Sequence, residues 1–134
     1  MILEISLVHH LSETKDGKRL QMFWMRASVP GTFLVECYAD SLPAPVATVY
    51  FRFIRSGHQI DILSSNVNTA FRRQGIRSAM NDTLRHWYDD KHIVSDSATD
   101  DGKKFMKAYG YRQLKDKTWF FQARKKKGKK NEPI

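Results

Sequence analysis

An α+β domain on a mostly antiparallel sheet is predicted by three observations. The first half of the chain alternates apolar and polar residues in five short runs separated by turn residues, as hairpin-linked strands do. At Gly75 the apolar spacing changes to every third and fourth residue, the period of a helix. Short strand-like and helical runs then alternate to residue 123. The order read from these runs is βββββ-α-β-α-ββ.

Each element has its own reason. Residues 3–11 alternate, with Leu3, Ile5, Leu7 and His9 on one side. Asp16-Gly17 turns the chain, and LQMFWMRASV (20–29) forms a second strand up to the Pro30-Gly31 turn. TFLVECYA (32–39) is the third strand, stopped by DSLPAP (40–45). VATVYFRFI (46–54) and HQIDILSS (58–65) pair across Ser56-Gly57. Past Gly75, the residues Ile76, Ala79, Met80, Leu84, Trp87 and Tyr88 share one face of a helix of about four turns. Asn81, Asp82, Arg85, Asp89 and Asp90 take the opposite, polar face. A strand follows at 92–96, then a short helix at 101–109, capped by Asp100 and Asp101 and terminated by a left-handed Gly110. Residues 111–114 and 117–123 close the sheet as a hairpin across Lys115-Asp116.

Composition narrows the function classes. The 134 residues fit one domain, and 41% hydrophobic with 12% aromatic content excludes a wholly disordered chain. No apolar run approaches the ~20 residues of a membrane-spanning helix. The opening MILEISLVHH lacks the basic-then-apolar pattern of a secretory signal. Cys37 stands alone, which leaves no intrachain disulfide, and the expected compartment is the reducing cytoplasm. His9-His10 and His86-His92 lack the spacing of a metal site, so no metal is expected. Nothing in the sequence chooses between a monomer and a dimer.

The charge of +9 is unevenly placed. Residues 124–134, RKKKGKKNEPI, hold six basic residues and one acid, so the expected organisation is a domain over 1–123 and a basic, disordered tail over 124–134. The tail is read either as a nucleic-acid contact through Arg124–Lys130 or as a solvated, solubilising end.

The stretch that carries chemistry is IDILSSNVNTAFRRQGIRSAM (60–80). A strand leads into Arg72, Arg73, Gln74 and Gly75, and these open the long helix. Free N–H groups and the helix dipole favour an anion there. Gly75 lets backbone approach a ligand closely, and Arg72, Arg73 and Arg77 add cations, a setting suited to a diphosphate.

These residues resemble the GCN5-related N-acetyltransferases, whose signature is Arg/Gln-x-x-Gly-x-Gly/Ala between the family's fourth strand and a long helix. The counterpart is Arg72-x-x-Gly75-x-Arg77, with Val67 ending the strand, Ser78-Ala79-Met80 continuing the helix and Gly110-Tyr111 in place of a Gly-Phe pair. The resemblance spans roughly residues 45–123. It implies that family's mixed, mostly antiparallel sheet, with a long helix after the fourth or fifth strand and a short second helix. No helix pair separates the first two strands, which suggests a trimmed form.

The resemblance also implies a chemistry. By it, the cofactor is acetyl-CoA or another acyl-CoA, and the acceptor is an amine. Ser65, Asn66 and Val67 bind the pantetheine arm through their backbone. The pyrophosphate rests on N–H groups of Gln74, Gly75, Ile76, Arg77 and Ser78, with Arg72 and Arg73 nearby. Asp61, fourteen residues before Gly75, takes the place of the histone-modifying branch's catalytic glutamate, with a strand aspartate paired to a cation as the plainer reading. Tyr109 is a candidate proton donor to the thiolate. Two positions depart from the family pattern: Arg77 stands where it has a small residue, and Met106 where it often has a tyrosine acid. An alternative function is a non-catalytic protein of the same fold that binds nucleic acid or a protein partner through its basic surface and tail.

Overall fold

The computed structural model describes residues 8–39, 42–96 and 99–123. Alternating, β-branched and aromatic residues build the strands β1 (Val8–Glu13), β2 (Arg19–Arg26), β3 (Thr32–Ala39), β4 (Ala47–Ile54) and β5 (Gln59–Val67). A 3-10 turn at Thr69–Phe71 precedes the helix α1 (Ile76–Trp87). Then come β6 (His92–Ser95), α2 (Asp100–Tyr109), β7 (Arg112–Gln113) and β8 (Trp119–Phe121). The eight strands form one sheet in the order β1-β2-β3-β4-β5-β6-β8-β7. Only the β5–β6 pair is parallel, because α1 crosses over between them. The α+β class and the order of elements are those the sequence predicts. No helix of the described residues is long and apolar enough to cross a membrane.

Register places Leu20 and Met22, Val35 and Cys37, Val49 and Phe51, Ile60 and Ile62, and Ile93 on one face, where all are buried. Ile76, Ala79, Met80 and Leu84 of α1 and Met106 of α2 join the same core. Each fully buried side chain of this size contributes roughly 1.5–3 kcal/mol. The core face thus clamps α1, and with it the turn that opens α1, against the sheet.

Four details depart from expectation. Asn81 is buried rather than on a solvent face, because its Oδ1 accepts from Tyr111 Oη at 2.5 Å and its Nδ2 donates to the Arg77 carbonyl at 3.1 Å. The cap of α2 is Thr99, whose Oγ1 accepts from Gly102 N–H at 3.0 Å, while Asp100 and Asp101 lie inside the first turn. β5 continues past residue 65, the end of the alternating run, to Val67, the end the resemblance implies, since β4 offers pairing partners that far. α1 begins one residue after Gly75 and ends at Trp87, with Tyr88 as its C-cap. β1 and β2 are joined by a tight turn with Gly17 at φ 87°, and no helix intervenes. The expected strand residues 3–7 and the basic tail lie outside the described residues.

Candidate active site

The site begins as a fork in the sheet. β5 and β6 pair only from Gln59/His92 to Ile62/Ser95, where β6 ends, while β5 continues to Val67 against β4. At the fork, Tyr50 faces Ser64 and Phe51 faces Ile62, so Leu63 is the extra residue of a bulge. Such a bulge bends the strand and sharpens its twist away from a neighbour. Beyond the fork, the β5 edge that faces away from β4 has no strand beside it among the described residues. Its free N–H and C=O groups seek a partner. Ser65, Asn66 and Val67 lie on this free edge.

The edge runs directly into the cationic turn. Arg72 donates from Nε to the Val67 carbonyl at 3.1 Å, and Arg73 is exposed with a left-handed φ of 62°. Gly75 (φ 83°) is the N-cap of α1, with no side-chain cap bond and no acidic residue in the first turn. The first N–H groups of α1, around Ile76, Arg77 and Ser78, therefore lack the usual side-chain acceptor and keep their attraction for an anion. The Ile76 side chain is buried and anchors this end to the core.

One contributor has no local signal. Lys18, on the β1–β2 turn, donates from Nζ to Gln74 Oε1 at 2.7 Å, and Gln74 Nε2 donates to the Ala70 carbonyl at 3.3 Å. Thr14 of the same turn is buried, and a Cβ at Gly75 would meet its Cβ at 3.9 Å. The β1–β2 turn thus braces the cationic turn across 56 residues of sequence and adds a cation beside it.

Arg77 behaves differently from its neighbours. Its guanidinium stacks 4.5 Å from the centre of the Phe105 ring on α2, and burial lowers its pKa. Its backbone belongs to the helix start, but its charge is directed toward α2.

The two candidate proton carriers lie apart. Asp61 stands across from Arg52 on the sheet face opposite the core, and its Oδ2 accepts from Arg52 Nε at 3.0 Å. Tyr109 packs on the core side against Phe121, whose strand partner is Ile93. Its hydroxyl donates to Asp82 Oδ1 at 2.5 Å, and burial together with that carboxylate pushes its pKa well above the usual phenol range. The structure does not bring Asp61 and Tyr109 together. Met106 is buried in the core.

A cavity of about 170 Å³ lies beside the end of β5, lined by Pro45, Val46, Ala47, Thr48, Asn66 and Asn68. It is smaller than the roughly 300–1,000 Å³ of enclosed small-molecule sites. Any large ligand here would lie along the open edge and turn rather than in a closed chamber.

No protein-family model and no curated protein sequence matches the chain. Solved structures do. The cAMP-binding acyltransferase from Mycobacterium smegmatis superposes with a TM-score of 0.62 at 10% identity, covering 88% of this chain and 48% of that one. Two single-residue mutants of that enzyme superpose with TM-scores of 0.64 at 11% identity, covering 90% of this chain and 48% and 49% of theirs. The chain shares the fold of the superposed part of those acyltransferases. It spans about half the length of those acyltransferases.

Proposed function

We propose that this protein is an acyl-CoA-dependent N-acyltransferase that moves an acyl group, acetyl in the simplest case, to an amine. The observation that carries this reading is the fork: an unpaired β5 edge running into an uncapped, acid-free helix start flanked by Arg72, Arg73 and Lys18. The donor set suits coenzyme A. The β5 edge at Ser65–Val67, where Arg72 already holds the Val67 carbonyl, complements the amide-bearing pantetheine arm. The N–H groups of Gln74–Ser78 and the surrounding cations complement the diphosphate.

Bound acyl-CoA supplies a thioester carbonyl that an amine attacks, giving an amide and the free CoA thiol. The chain's own task is proton handling, because a lysine-type amine is protonated at neutral pH. Asp61, two residues before the bulge, is the candidate base. Arg52 holds its Oδ2, which leaves Oδ1 to take the proton directly or through water. Tyr109 serves the leaving thiolate only by releasing Asp82.

Acetyl-CoA at about 100 times its Kd should stabilise the fold by about 2.7 kcal/mol. Asp61→Asn should lower turnover with the thermal shift retained. Unchanged melting at millimolar acetyl-CoA would refute the cofactor assignment, and unchanged turnover in Asp61→Asn would remove Asp61 from the chemistry. The alternative of a non-catalytic protein that binds nucleic acid through Arg124–Lys130 rests on the charge of that segment. It is favoured if nucleic acid raises the melting temperature and acetyl-CoA does not.

A further inference from the structure

The charge surplus of the chain comes from one stretch. Residues 103–130 hold ten lysines, two arginines and a single acid, Asp116. The other 106 residues hold eleven basic residues and thirteen acids, so the whole surplus of +9 arises between Lys103 and Lys130.

The fold gathers the described part of that stretch on one margin of the molecule. α2 lies over β8, where Tyr109 packs on Phe121, and β7 is the last strand beyond β8. The helix buries Gly102 and Met106 and half-buries Phe105 and Tyr109, which leaves Lys103, Lys104 and Lys107 as its exposed stripe. Arg112 is exposed on β7, and Lys115 and Lys117 are exposed on the turn to β8. None of these six cations is in an ion pair among the described residues. Asp116 is engaged by its own turn, its Oδ1 accepting from Thr118 N–H at 3.1 Å and from Thr118 Oγ1 at 2.6 Å. Asp100 and Asp101 occupy the first turn of α2, where the helix dipole favours them. So one-sided a surface costs the folded chain self-repulsion, which a polyanion would relieve. We propose that this margin binds the phosphate backbone of a nucleic-acid duplex, with α2 along it and the charges of residues 124–130 adding to the attraction.

Three observations select that occupant. Ten of the twelve cations are lysines, point charges that suit a row of phosphates, whereas forked recognition of single carboxylates favours arginine. The large exposed hydrophobics Leu11, Val29, Leu42, Tyr50 and Leu63 all lie outside residues 99–123, so the margin offers no apolar anchor to a lipid surface or to a protein interface. α2 has ten residues and is about 15 Å long, a length over which one strand of a duplex presents about four phosphates. Such contacts position a duplex without reading its bases. The candidate base stays open, because Asp61 is on β5, three strands in from β7 and on the sheet face away from α2. The inference extends nucleic-acid contact from residues 124–130 to folded residues, and it holds whether or not the chain transfers acyl groups.

The test is fluorescence anisotropy of the full chain with labelled mixed-sequence duplexes of about 20 base pairs, one of DNA and one of RNA, between about 50 and 300 mM KCl. Binding at about 1–100 µM near physiological salt is expected, with a log–log salt slope of about −5 or steeper. Lys103→Gln, Lys104→Gln and Lys107→Gln together keep good helix formers on α2 and remove three cations. The slope should then flatten by about 2.7, and the affinity at about 100 mM KCl should fall at least about 10-fold. Thermal melts show whether the triple variant is folded; if it is not, Lys107→Gln alone, expected to flatten the slope by about 0.9, carries the same test. Preference for one duplex names the source of the phosphates, and equal affinity for both supports a contact to backbone alone. No binding to either duplex at about 50 mM KCl overturns the proposal. So does a slope that the α2 substitutions leave unchanged, which would assign all binding to residues 124–130. Tighter binding to poly-glutamate or to vesicles of about 30% anionic lipid than to either duplex also overturns it.

Discussion

Removing one hydroxyl tests whether α1 is clasped, by a buried polar pair, to the segment that leaves α2. Tyr111 Oη donates to Asn81 Oδ1 at 2.5 Å, and both residues are almost fully buried, at 4% and 3% exposure. In Tyr111→Phe the ring still packs against Tyr109 and Phe121, but Asn81 Oδ1 loses its described partner in a place short of water. An unsatisfied buried acceptor costs about 1–3 kcal/mol, more than the ~1 kcal/mol net value of the bond itself. The Asn81 Nδ2 bond to the Arg77 carbonyl survives, so the upper end of that range is not reached unless the side chain turns away. At roughly 4 °C per kcal/mol for a domain of this size, the melting temperature should fall by about 4–10 °C. Asn81→Leu removes the other partner, and the double variant leaves no orphaned acceptor. The two losses should therefore be less than additive, with a coupling of about 1–2 kcal/mol. Urea denaturation of all four proteins measures the cycle. Strict additivity, or a Tyr111→Phe loss below about 0.5 kcal/mol, would show that the pair does not hold α1 to that segment.

A histidine and two glycines offer further tests. Burial, then His86 and His9, lowers the pKa of His10, so the unfolded chain binds the proton more readily and stability should fall as pH drops through the normal histidine range; His10→Gln should flatten that slope in melts between about pH 7 and 5, and an unchanged slope rules His10 out as its source. A Cβ at Gly110 (φ 118°) would sit 3.3 Å from Phe121, against 3.9 Å from Thr14 for one at Gly75 (φ 83°), so Gly110→Ala should cost about 2–3 kcal/mol and Gly75→Ala about 1–2; equal losses would mean that backbone strain alone decides both.

The parts legible in the sequence are those governed by local period. Five alternating runs, then a 3.6-residue spacing from Gly75, suffice to order β1–β5 and α1, because the core is drawn from one face of each strand and one stripe of α1. Gly110 is legible as a terminator because its left-handed φ serves the Tyr111 N–H to Met106 carbonyl bond that closes α2. What is not legible depends on remote partners. Asn66 lies past residue 65, where the alternating run ends, yet it extends β5 because Thr48 lies alongside. Asn81 is polar and sits among polar neighbours in sequence, and only Tyr111, thirty residues on, makes its burial tolerable. Lys18 gives no sign that it reaches Gln74, since the β1–β2 turn meets the cationic turn only once the sheet is assembled. The choice of Thr99 over Asp100 as the α2 cap turns on a one-residue shift that composition does not resolve.

Arg77 occupies the position where the resembled family keeps a small residue. A long side chain there has two destinations, the cationic turn or the groove between α1 and α2. Arg77 takes the groove, where its guanidinium lies over the Phe105 ring and its buried Nε has no hydrogen-bond partner among the described residues. Its carbonyl meanwhile accepts from Asn81, which accepts in turn from Tyr111, so one residue at the helix start is tied to the middle of α2 and to the residue just past its C-cap. On the other flank, Lys18 and Thr14 press against Gln74 and Gly75. A domain with no helices between its first two strands must position the start of α1 by other means. Here a hairpin turn braces one side and the α1–α2 clasp the other. The arginine therefore leaves the N–H groups of the helix start available, and a guanidinium that would have crowded them serves instead as a strut that holds them in place.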